Sequence, residues 1–374
     1  MTSRTIIDIH ILQTVPPSNL NRDDTGSPKS AIYGGVRRSR VSSQAWKRAI
    51  RNDFGTALDR ADLGVRTLRL VEMVADSISA SDPDLAEQSL DLAAGVLNAA
   101  GLKTKTSKKK DAPDETEALA FLSFVQVDAL ARYAVQIERA GGKPEAKTAK
   151  LLADSAHSID VALFGRMVAS STDLNVDAAC QVAHAISVHG VENEFDYFTA
   201  VDDRKSGEES VGAGMIGVVE FNSATLYRYA TVDVDLLLAN LGNEQAVLRA
   251  VPAFLHSMAT SMPSGKQNTF GNRTLPDAVL ISVRDDQPIN FVGAFEQAVT
   301  CTDGRVETAA RKLSEYAGQI TDIYDAAPVS TWVLRTGQTD GHLDGLGTVG
   351  SLGQAISSIT TLVGSRIAAK AVAR

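Results

Sequence analysis

The chain has 374 residues, of which 44% are hydrophobic and 22% are charged, and this composition is typical of a globular protein and excludes a disordered or fibrous one. No apolar run approaches the roughly 20 residues of a membrane span, and the N-terminus lacks the continuous apolar region of a signal peptide. The length exceeds the usual size of a single hydrophobic core. We therefore expect a cytoplasmic protein without membrane contact, built from two domains or one elaborated domain.

The charge of the chain is unevenly distributed along the sequence. The net charge is -8, but residues 29 to 51 contain no acidic residue and carry +7, so the remainder carries -15. The basic residues of this stretch are Lys29, Arg37, Arg38, Arg40, Lys47, Arg48 and Arg51. A concentrated basic stretch predicts contact with phosphate groups, although a solvated basic face is the alternative interpretation.

The N-terminal third of the sequence predicts a strand, a long loop and a short helix. Residues 5 to 13 alternate and are rich in Ile, which predicts a strand. The polar loop that follows runs through Pro28, and a loop of this length is usually functional or disordered. A helix through about Asp53 comes next, with Ser42 or Ser43 as its N-cap. Spacing of three and four places the polar side chains on one helix face and the apolar ones on the other. The polar face consists of Gln44, Lys47, Arg48 and Arg51.

The middle of the chain, from about 60 to 190, has a helical pattern rich in Ala and Leu. The predicted helical segments are 68 to 100, 116 to 139 and 145 to 165. They are interrupted by a lysine-rich polar stretch, 103 to 115, which predicts a loop. Lys143, Lys147 and Lys150 share one helix face. They could contact nucleic acid, or their stems could simply cover apolar surface.

Beyond residue 190 the sequence predicts strands again. The predicted strands are Phe195–Val201, Met215–Phe221 and Thr225–Val234, and the Gly-rich stretch between the first two predicts a long hairpin tip. Later elements are helices at 243 to 260, 288 to 300 and 305 to 325, strands at 277 to 284 and 329 to 335, and a C-terminal helix. Strands that flank a helical block predict an α+β fold, and a ferredoxin-like sheet is the commonest framework of that kind.

Sequence motifs of common enzymes are absent from the chain. There is no Walker-type phosphate loop, HExxH motif, Cys-rich zinc pattern or nucleophile elbow, so we predict no catalytic residue, cofactor or metal. His184 and His189 are five residues apart, a poor spacing for shared metal ligation on a helix, and we interpret His184 as a packed core residue. Asp23 and Asp24 could in principle support RNA cleavage, but loop acids are more often turn formers.

The region from 22 to 51 instead contains groups suited to binding a sugar-phosphate backbone. Arginine and lysine form charge-assisted hydrogen bonds to phosphate oxygens, Ser and Gln add neutral ones, and the amides at a helix start favour an anion. Gly34 and Gly35 would allow a close approach of the main chain. Stacking groups could come from Met167, Tyr197 and Phe198, each of which could alternatively belong to a hydrophobic core.

Several longer motifs carry a family resemblance together, although none is specific alone. They are Leu20-Asn21-Arg22-Asp23-Asp24, Ala31-Ile32-Tyr33-Gly34-Gly35, Arg38-Ser39-Arg40-Val41-Ser42-Ser43-Gln44, Lys47-Arg48-Ala49, Gly165-Arg166-Met167, Ala183-His184-Ala185-Ile186, Tyr197-Phe198-Thr199-Ala200-Val201-Asp202-Asp203 and Tyr227-Arg228-Tyr229-Ala230. With these motifs the sequence resembles, nearly end to end, the CasC proteins of type I-E CRISPR Cascade, which belong to the seventh Cas family.

The resemblance implies a hand-shaped, non-catalytic antiviral subunit that binds guide RNA (crRNA). An RRM/ferredoxin-like palm would be formed by 1–58 and 224–374, helical fingers by the insertion 59–190, and a β-hairpin thumb by 191–223. Copies would stack head to tail into a helical filament along the crRNA and present it in segments for pairing with target DNA. The other implied partners are the large, small and guide-end-binding Cascade subunits and a recruited nuclease-helicase.

The resemblance also implies roles for individual residues. Guide phosphate contacts correspond to Arg22, Lys29, Ser42, Gln44, Lys47 and Arg51, and to these predicted RNA-binding residues we add Arg38, Arg40, Arg48 and Arg166. Met167 corresponds to the residue at the kinked nucleotide. The thumb wedge corresponds to Tyr197, Phe198, Thr199 and Val201, with Tyr197 where the family often has tryptophan. Lys143, Lys147 and Lys150 correspond loosely to lysines that lie toward duplex DNA.

Two other interpretations of the sequence are possible. Relatives in other CRISPR types cut target RNA with a loop aspartate on the same fold, which would make Asp23 or Asp24 the catalytic residue of an RNA endonuclease. The chain could also be a purely structural, self-assembling protein. RNA retention that depends on Lys47 and Arg51 would separate the last interpretation from the first.

Overall fold

The computed structural model describes residues 4–107, 112–168, 171–200, 215–301 and 304–372. The fold is α+β with a large central sheet, as predicted. The chain divides into two compact units. The first, here called the sheet unit, comprises 1–52, 182–231 and 255–361, and the second, the helical unit, comprises 53–181, 232–254 and 362–374. The division into palm, fingers and thumb stays a prediction.

The strands and helices are as follows. In chain order the strands are β1 (Ile6–Ser18), β2 (Ser30–Tyr33), β3 (Val36–Val41), β4 (Gly64–Thr67), β5 (Thr104–Lys105), β6 (Glu115–Thr116), β7 (Ala120–Ser123), β8 (Cys180–Val182), β9 (Ala185–Ser187), β10 (Glu194–Ala200), β11 (Met215–Asp233), β12 (Ala278–Arg284), β13 (Ser330–Arg335) and β14 (Thr348–Val349). The helices are α1 (Ser43–Phe54), α2 (Leu70–Ser81), α3 (Ser89–Ala99), α4 (Phe124–Arg139), α5 (Ala146–Ala153), α6 (Ile159–Phe164), α7 (Val234–Leu241), α8 (Glu244–Thr260), α9 (Gln267–Phe270), α10 (Val306–Tyr324) and α11 (Leu352–Val372).

The main sheet has the strand order β14-β13-β12-β1-β11-β9-β3-β2, with β8 and β10 also paired to β11. Strand β1 lies in the middle and pairs antiparallel with β12, so that Ile9 is opposite Ile281. Its side chains are buried from Ile6 through Gln13, as expected for a central strand covered on both faces. Leu12, Leu280 and Val333 join α10 in one hydrophobic core on this sheet.

Strands β2 and β3, which were not predicted, form a hairpin. The connection consists of Gly34 and Gly35, with φ angles of +57° and +76°. Two successive residues of positive φ are required by the type I′ turn, which matches the twist of paired strands. Gly34 is also closely packed, because an ideal Cβ there would lie 1.8 Å from the carbonyl oxygen of Glu296. The glycine pair therefore sets both the turn and its packing.

The predicted hairpin beyond residue 190 is present. Strand β10 pairs antiparallel with β11 from Glu194 opposite Phe221 to Ala200 opposite Met215. The two strands predicted at Met215–Phe221 and Thr225–Val234 are instead one continuous strand, β11. Because β11 also lies between β1 and β9, the hairpin is a direct extension of the main sheet.

The helical unit is built mainly from Ala- and Leu-rich helices, as predicted. The segment 68–100 contains α2 and α3, which pack with α4 and α5 in one core. Helix α4 begins at a capping box in which Ser123 and Gln126 satisfy each other's backbone amides. The short strands β5, β6 and β7 were not predicted. Among the described residues, no helix is long and apolar enough to cross a membrane.

The helix predicted at 288–300 is wrong. Only a short 3-10 helix, Phe291–Phe295, forms there. Its start is fixed by the Asn290 side chain, which accepts a hydrogen bond from the Val292 amide. Gly293 in its middle packs against Tyr316, since an ideal Cβ would lie 2.4 Å from the tyrosine oxygen. Packing on α10 therefore overrides the weak helical pattern.

Candidate nucleic-acid interface

The start of α1 is tied to the β1–β2 loop through Ser42. The Ser42 hydroxyl accepts a hydrogen bond from the Ala45 amide at 3.3 Å, the N-cap role that the sequence predicted. The Ser42 amide donates to the side-chain oxygen of Asn21 at 2.9 Å. Ser42 itself is buried, whereas Gln44 is exposed at the first turn. The first turn of α1 contains no acidic residue, and a helix N-terminus of this kind favours an anion.

Helix α1 has the two faces that its spacing predicted. Trp46, Ile50 and Phe54 are buried. On the other face Gln44 and Arg48 are exposed, and Lys47 and Arg51 are half-buried. Lys47 and Arg51 are four residues apart, so their side chains lie on the same face of the helix. This face therefore presents a row of cations.

The loop between β1 and β2 is ordered by its own hydrogen bonds. The Lys29 amide donates to the Asn21 carbonyl oxygen at 2.8 Å, and Arg22 forms a bridge with Pro28. Because Asn21 also holds Ser42, the exposed Arg22 and the half-buried Lys29 are both fixed beside the start of α1. The loop therefore brings two further cations to the row on the helix.

Asp23 closes this loop and has the geometry of a turn former. One oxygen of its carboxylate accepts hydrogen bonds from the Thr25 hydroxyl at 2.7 Å, the Thr25 amide at 3.0 Å and the Ser27 amide at 3.0 Å. These bonds, first of all that from the Thr25 hydroxyl, lower the pKa of Asp23. A lowered pKa opposes the proton uptake that a general base needs at neutral pH.

A chain of polar side chains joins the loop to the base of the β10–β11 hairpin. The Glu220 carboxylate accepts from the Ser27 hydroxyl and from the Asn193 amide group, both at 2.8 Å. Asn222 donates to Asn193 and accepts from the Ser39 hydroxyl of β3. The hairpin base, the loop and β3 are thereby held in one arrangement.

Two of the predicted RNA-binding arginines are instead structural, which corrects the prediction. Arg38 is 0% exposed, and its guanidinium donates to the carbonyl oxygens of Tyr33, Ser187, Phe295 and Glu296. Arg166 is also buried, where it donates to the Leu174 and Ala153 carbonyl oxygens and pairs with Asp154 at 2.8 Å. Neither guanidinium is accessible to a phosphate.

Arg40 lies beside a histidine that was expected in the core. His184 is exposed, not packed, because β9 begins only after it. Its Nδ1 lies 3.0 Å from Arg40 Nη1, and Arg40 Nε donates to the Ser30 carbonyl oxygen. Desolvation, then the charges of Arg40 and Lys29, lower the pKa of His184. The histidine is therefore neutral at pH 7, and its Nδ1 can accept from Arg40.

The hairpin carries exposed aromatic side chains. Phe195 and Tyr197 lie on one face, 67% and 61% exposed, next to the exposed Val218 opposite Tyr197. Phe198 lies on the other face, and its ring covers Gly217, where an ideal Cβ would be 2.3 Å from the ring. Thr199 is exposed. Val201, the remaining residue of the predicted wedge, lies outside the described residues.

The candidate residues of the helical unit differ in their availability. Met167 is 82% exposed. Lys143 and Lys147 are exposed, but Lys143 precedes α5, so the prediction that the three lysines share one helix face is wrong. Lys150 Nζ lies 2.6 Å from the carboxylate of Asp173 and is already paired. A contact of these lysines with DNA stays a prediction.

One cation beside the loop was missed by the sequence analysis. Gly265 packs so closely on β1's end that an ideal Cβ would lie 2.1 Å from the Leu20 carbonyl oxygen. The next residue, Lys266, has a left-handed backbone with φ +51°, and the Asn272 side chain donates to the Gly265 carbonyl oxygen. Lys266 is thereby held next to the segment that carries Arg22. Because Gly265 and Leu20 are far apart in sequence, no local pattern indicated this placement.

The absence of a metal stays a prediction. Within the described ranges, the surface residues Glu307, Asp340 and His342 bring ligand atoms within 4.8 Å of one another. Exposed groups of this composition are common without a bound ion. They lie outside the basic row, and no RNA contact is assigned to them.

Comparisons with known proteins agree with this fold. A chain from a "CRISPR RNA-guided surveillance complex, pre-nicking" is 36% identical, with a TM-score of 0.85 over 96% of this chain and 100% of that chain. A chain from a second "CRISPR RNA-guided surveillance complex" is 31% identical, with a TM-score of 0.74 over 96% and 99%. No curated protein matches. The family model described as CT1975-like protein matches residues 7–358, and the chain therefore belongs to the CT1975-like protein family.

Proposed function

We propose that this protein is the crRNA-binding backbone subunit of a type I-E CRISPR Cascade complex. The observation that carries the proposal is the row of cations on α1 and the adjoining loop. Arg22, Lys29, Lys47, Arg48 and Arg51 project from elements that Asn21 and Ser42 bind together. Similarity to chains of CRISPR RNA-guided surveillance complexes supports the same assignment.

The chemistry of this row suits a phosphate backbone more than bases. Arginine and lysine neutralise phosphates without reading sequence, and the cap at Ser42 leaves a helix start with no acidic side chain. Sequence specificity would then come from base pairing between the crRNA and target DNA. The exposed Phe195 and Tyr197 offer stacking surfaces on the hairpin, in keeping with a thumb that displaces a base.

The proposed role includes assembly but no reaction. Copies of the chain would join head to tail, because heterologous contacts give open helical filaments, and would meet the other Cascade subunits and a recruited nuclease-helicase in the cytoplasm. The endonuclease alternative has little support, because Asp23 is bound within its own turn. Replacing Asp23 and Asp24 by alanine should leave RNA binding intact and remove no cleavage activity.

The experiment is to co-express the chain with a matching CRISPR array and purify it. RNase digestion, followed by sizing of protein and RNA, should give a ladder of protected RNA in a large assembly. Lys47→Ala with Arg51→Ala should shrink that assembly, whereas Arg311→Ala with Lys312→Ala on α10 removes the same charge elsewhere and should not. An RNA-free monomer that is indifferent to both double variants would refute the proposal.

A further inference from the structure

A fully buried arginine lies directly under α1. Arg228 of β11 is 1% exposed, and its guanidinium carbon lies 3.7 Å from the centroid of the Trp46 ring. Nη1 donates to the side-chain oxygen of Gln13 at 2.7 Å, and Nη2 donates to the carbonyl oxygen of Met258. The cation is therefore enclosed between the central sheet and the buried face of the helix.

The charge of Arg228 is not neutralised by any described residue. Its partners are an amide oxygen, a carbonyl oxygen, the Met258 sulfur and an indole ring, and within the described ranges no carboxylate lies within ion-pair distance of it. By contrast, the buried Arg284 lies 3.2 Å from Asp8, and Arg166 is paired with Asp154. Burial lowers the pKa of Arg228 to about 9, so the guanidinium is still protonated at neutral pH.

A buried cation without an opposite charge destabilises the fold. The position of Arg228 indicates a function for which the cation is retained. Burying a charge without an opposite charge is unfavourable by several kcal/mol in general. Trp46, on which Arg228 stacks, immediately precedes Lys47, whose side chain belongs to the exposed basic face of α1. The space between Arg228 and that face is filled by protein, so ions in solution screen this charge much less than they screen a surface lysine.

We propose that Arg228 provides a buried positive charge beneath α1 that strengthens phosphate binding at the exposed face of the helix. Arg228 acts on the phosphate through its electrostatic field across the helix and does not contact the phosphate. It is therefore a positioning residue for the anion. This inference rests on the proposed RNA-binding function. A helix with side chains is about 10 to 12 Å thick. At that distance, with an effective dielectric constant of about 25 to 40, one charge changes the affinity for a phosphate roughly threefold to tenfold.

Two variants remove the net charge in different ways. Arg228→Met replaces the cation with an apolar side chain of similar length. Gln13→Glu keeps Arg228 in place and converts its neutral partner into a carboxylate of the same shape, so the pair becomes neutral. It also loses the hydrogen bond that Gln13 Nε2 donates to the Thr274 carbonyl oxygen at 3.0 Å, and thermal unfolding measures that loss separately. Arg228→Lys retains the charge and is the rescue variant. Arg311→Met removes an exposed charge from α10, where Arg311 pairs with Glu315, and is the matched control for net charge.

The test is the affinity for a short single-stranded RNA between about 50 and 400 mM salt, with thermal unfolding as a check on the fold. We expect Arg228→Met and Gln13→Glu each to weaken binding about threefold to tenfold at every salt concentration. The slope of log affinity against log salt should not change, because Arg228 releases no counterion. Arg228→Lys should bind within about twofold of the wild type, and Arg311→Met should be indistinguishable from it.

Each other outcome overturns the inference. If Arg228→Met does not fold, Gln13→Glu decides alone, and unchanged affinity there contradicts the role of the charge. If Arg228→Met and Arg228→Lys lower the RNA affinity equally, the packing of the Arg228 side chain, and not its charge, determines the affinity. A shallower salt slope would mean that Arg228 meets phosphate directly. If the wild type itself binds no RNA, the proposed function is refuted as well. If the wild type binds RNA and the affinities of Arg228→Met and Gln13→Glu equal its own, only the role of Arg228 is refuted.

Discussion

Replacing Arg38 by methionine should lower the free energy of unfolding of the sheet unit. The RNA affinity of the molecules that remain folded should not change. The change removes the donors to the carbonyl oxygens of Tyr33 at 3.2 Å, Ser187 at 3.1 Å, Phe295 at 2.9 Å and Glu296 at 3.2 Å. Each such bond contributes about 1 kcal/mol net, and the carbonyl groups of Ser187 and Phe295 lose a donor in a buried environment. We expect a loss of about 3 to 4 kcal/mol, a large share of an ordinary folding free energy.

Urea unfolding followed by circular dichroism measures this loss. With a denaturant slope of about 3 kcal/mol per M, the midpoint should fall by about 1 M. The control is Arg48→Met, which changes an exposed arginine on α1: it should shift the free energy of unfolding by less than about 0.5 kcal/mol and reduce the salt slope of RNA binding by about 0.7. An Arg38→Met protein as stable as the wild type but with the shallower salt slope would show that Arg38 reaches phosphate after all.

Three further predictions concern other parts of the chain. Lys47→Ala should reduce the slope of log RNA affinity against log salt by about 0.7 in filter binding, whereas Lys312→Ala, which removes a lysine bonded to the Gln297 carbonyl oxygen, should leave the slope unchanged. Gly217→Ala should cost about 1 to 3 kcal/mol by displacing the Phe198 ring; in a Phe198→Ala background the same change should cost little, and an equal cost in both backgrounds would contradict this packing. Hydrogen bonds, first that from Lys150 and then that from Ser171, lower the pKa of the Asp173 carboxyl to about 2. It should titrate near pH 2 by NMR and at a higher pH in Lys150→Ala, still below the usual aspartate value because the Ser171 hydrogen bond remains. Because the folded-state pKa is lowered, the stability from this pair is present above the unfolded-state pKa of about 3.9 and is lost as the pH falls through about 2.

Local patterns were sufficient to predict the polar face of α1 and its cap. Helical spacing places four polar residues on one face: Gln44, Lys47, Arg48 and Arg51. Ser42 occupies the N-cap position, where a hydroxyl side chain can accept a hydrogen bond from a backbone amide that has no partner within the helix. The pairing of β10 with β11 was likewise predictable from alternation. These features depend only on residues close together in sequence.

Features that depend on distant segments were not predictable. Nothing in residues 36 to 41 distinguishes Arg38 from Arg40, and Arg38 is buried only because its donors meet carbonyl oxygens of Ser187 and Phe295, more than 100 residues away. Lys266 was missed for the same reason, since its neighbour Gly265 meets Leu20 across the unit. A basic stretch in sequence therefore mixes cations that face solvent with cations that hold the fold together.

The continuity of β11 has a mechanical consequence for the hairpin. One unbroken strand runs from Met215 to Asp233, and its later part is hydrogen-bonded between β1 and β9. A displacement at Tyr197, which pairs with Val218, therefore cannot be absorbed by a hinge in that strand. It must instead bend the paired strands β10 and β11, and β11 is held in the middle of the main sheet. The hydrogen bonds between β11 and its neighbours β1 and β9 therefore resist movement of the hairpin.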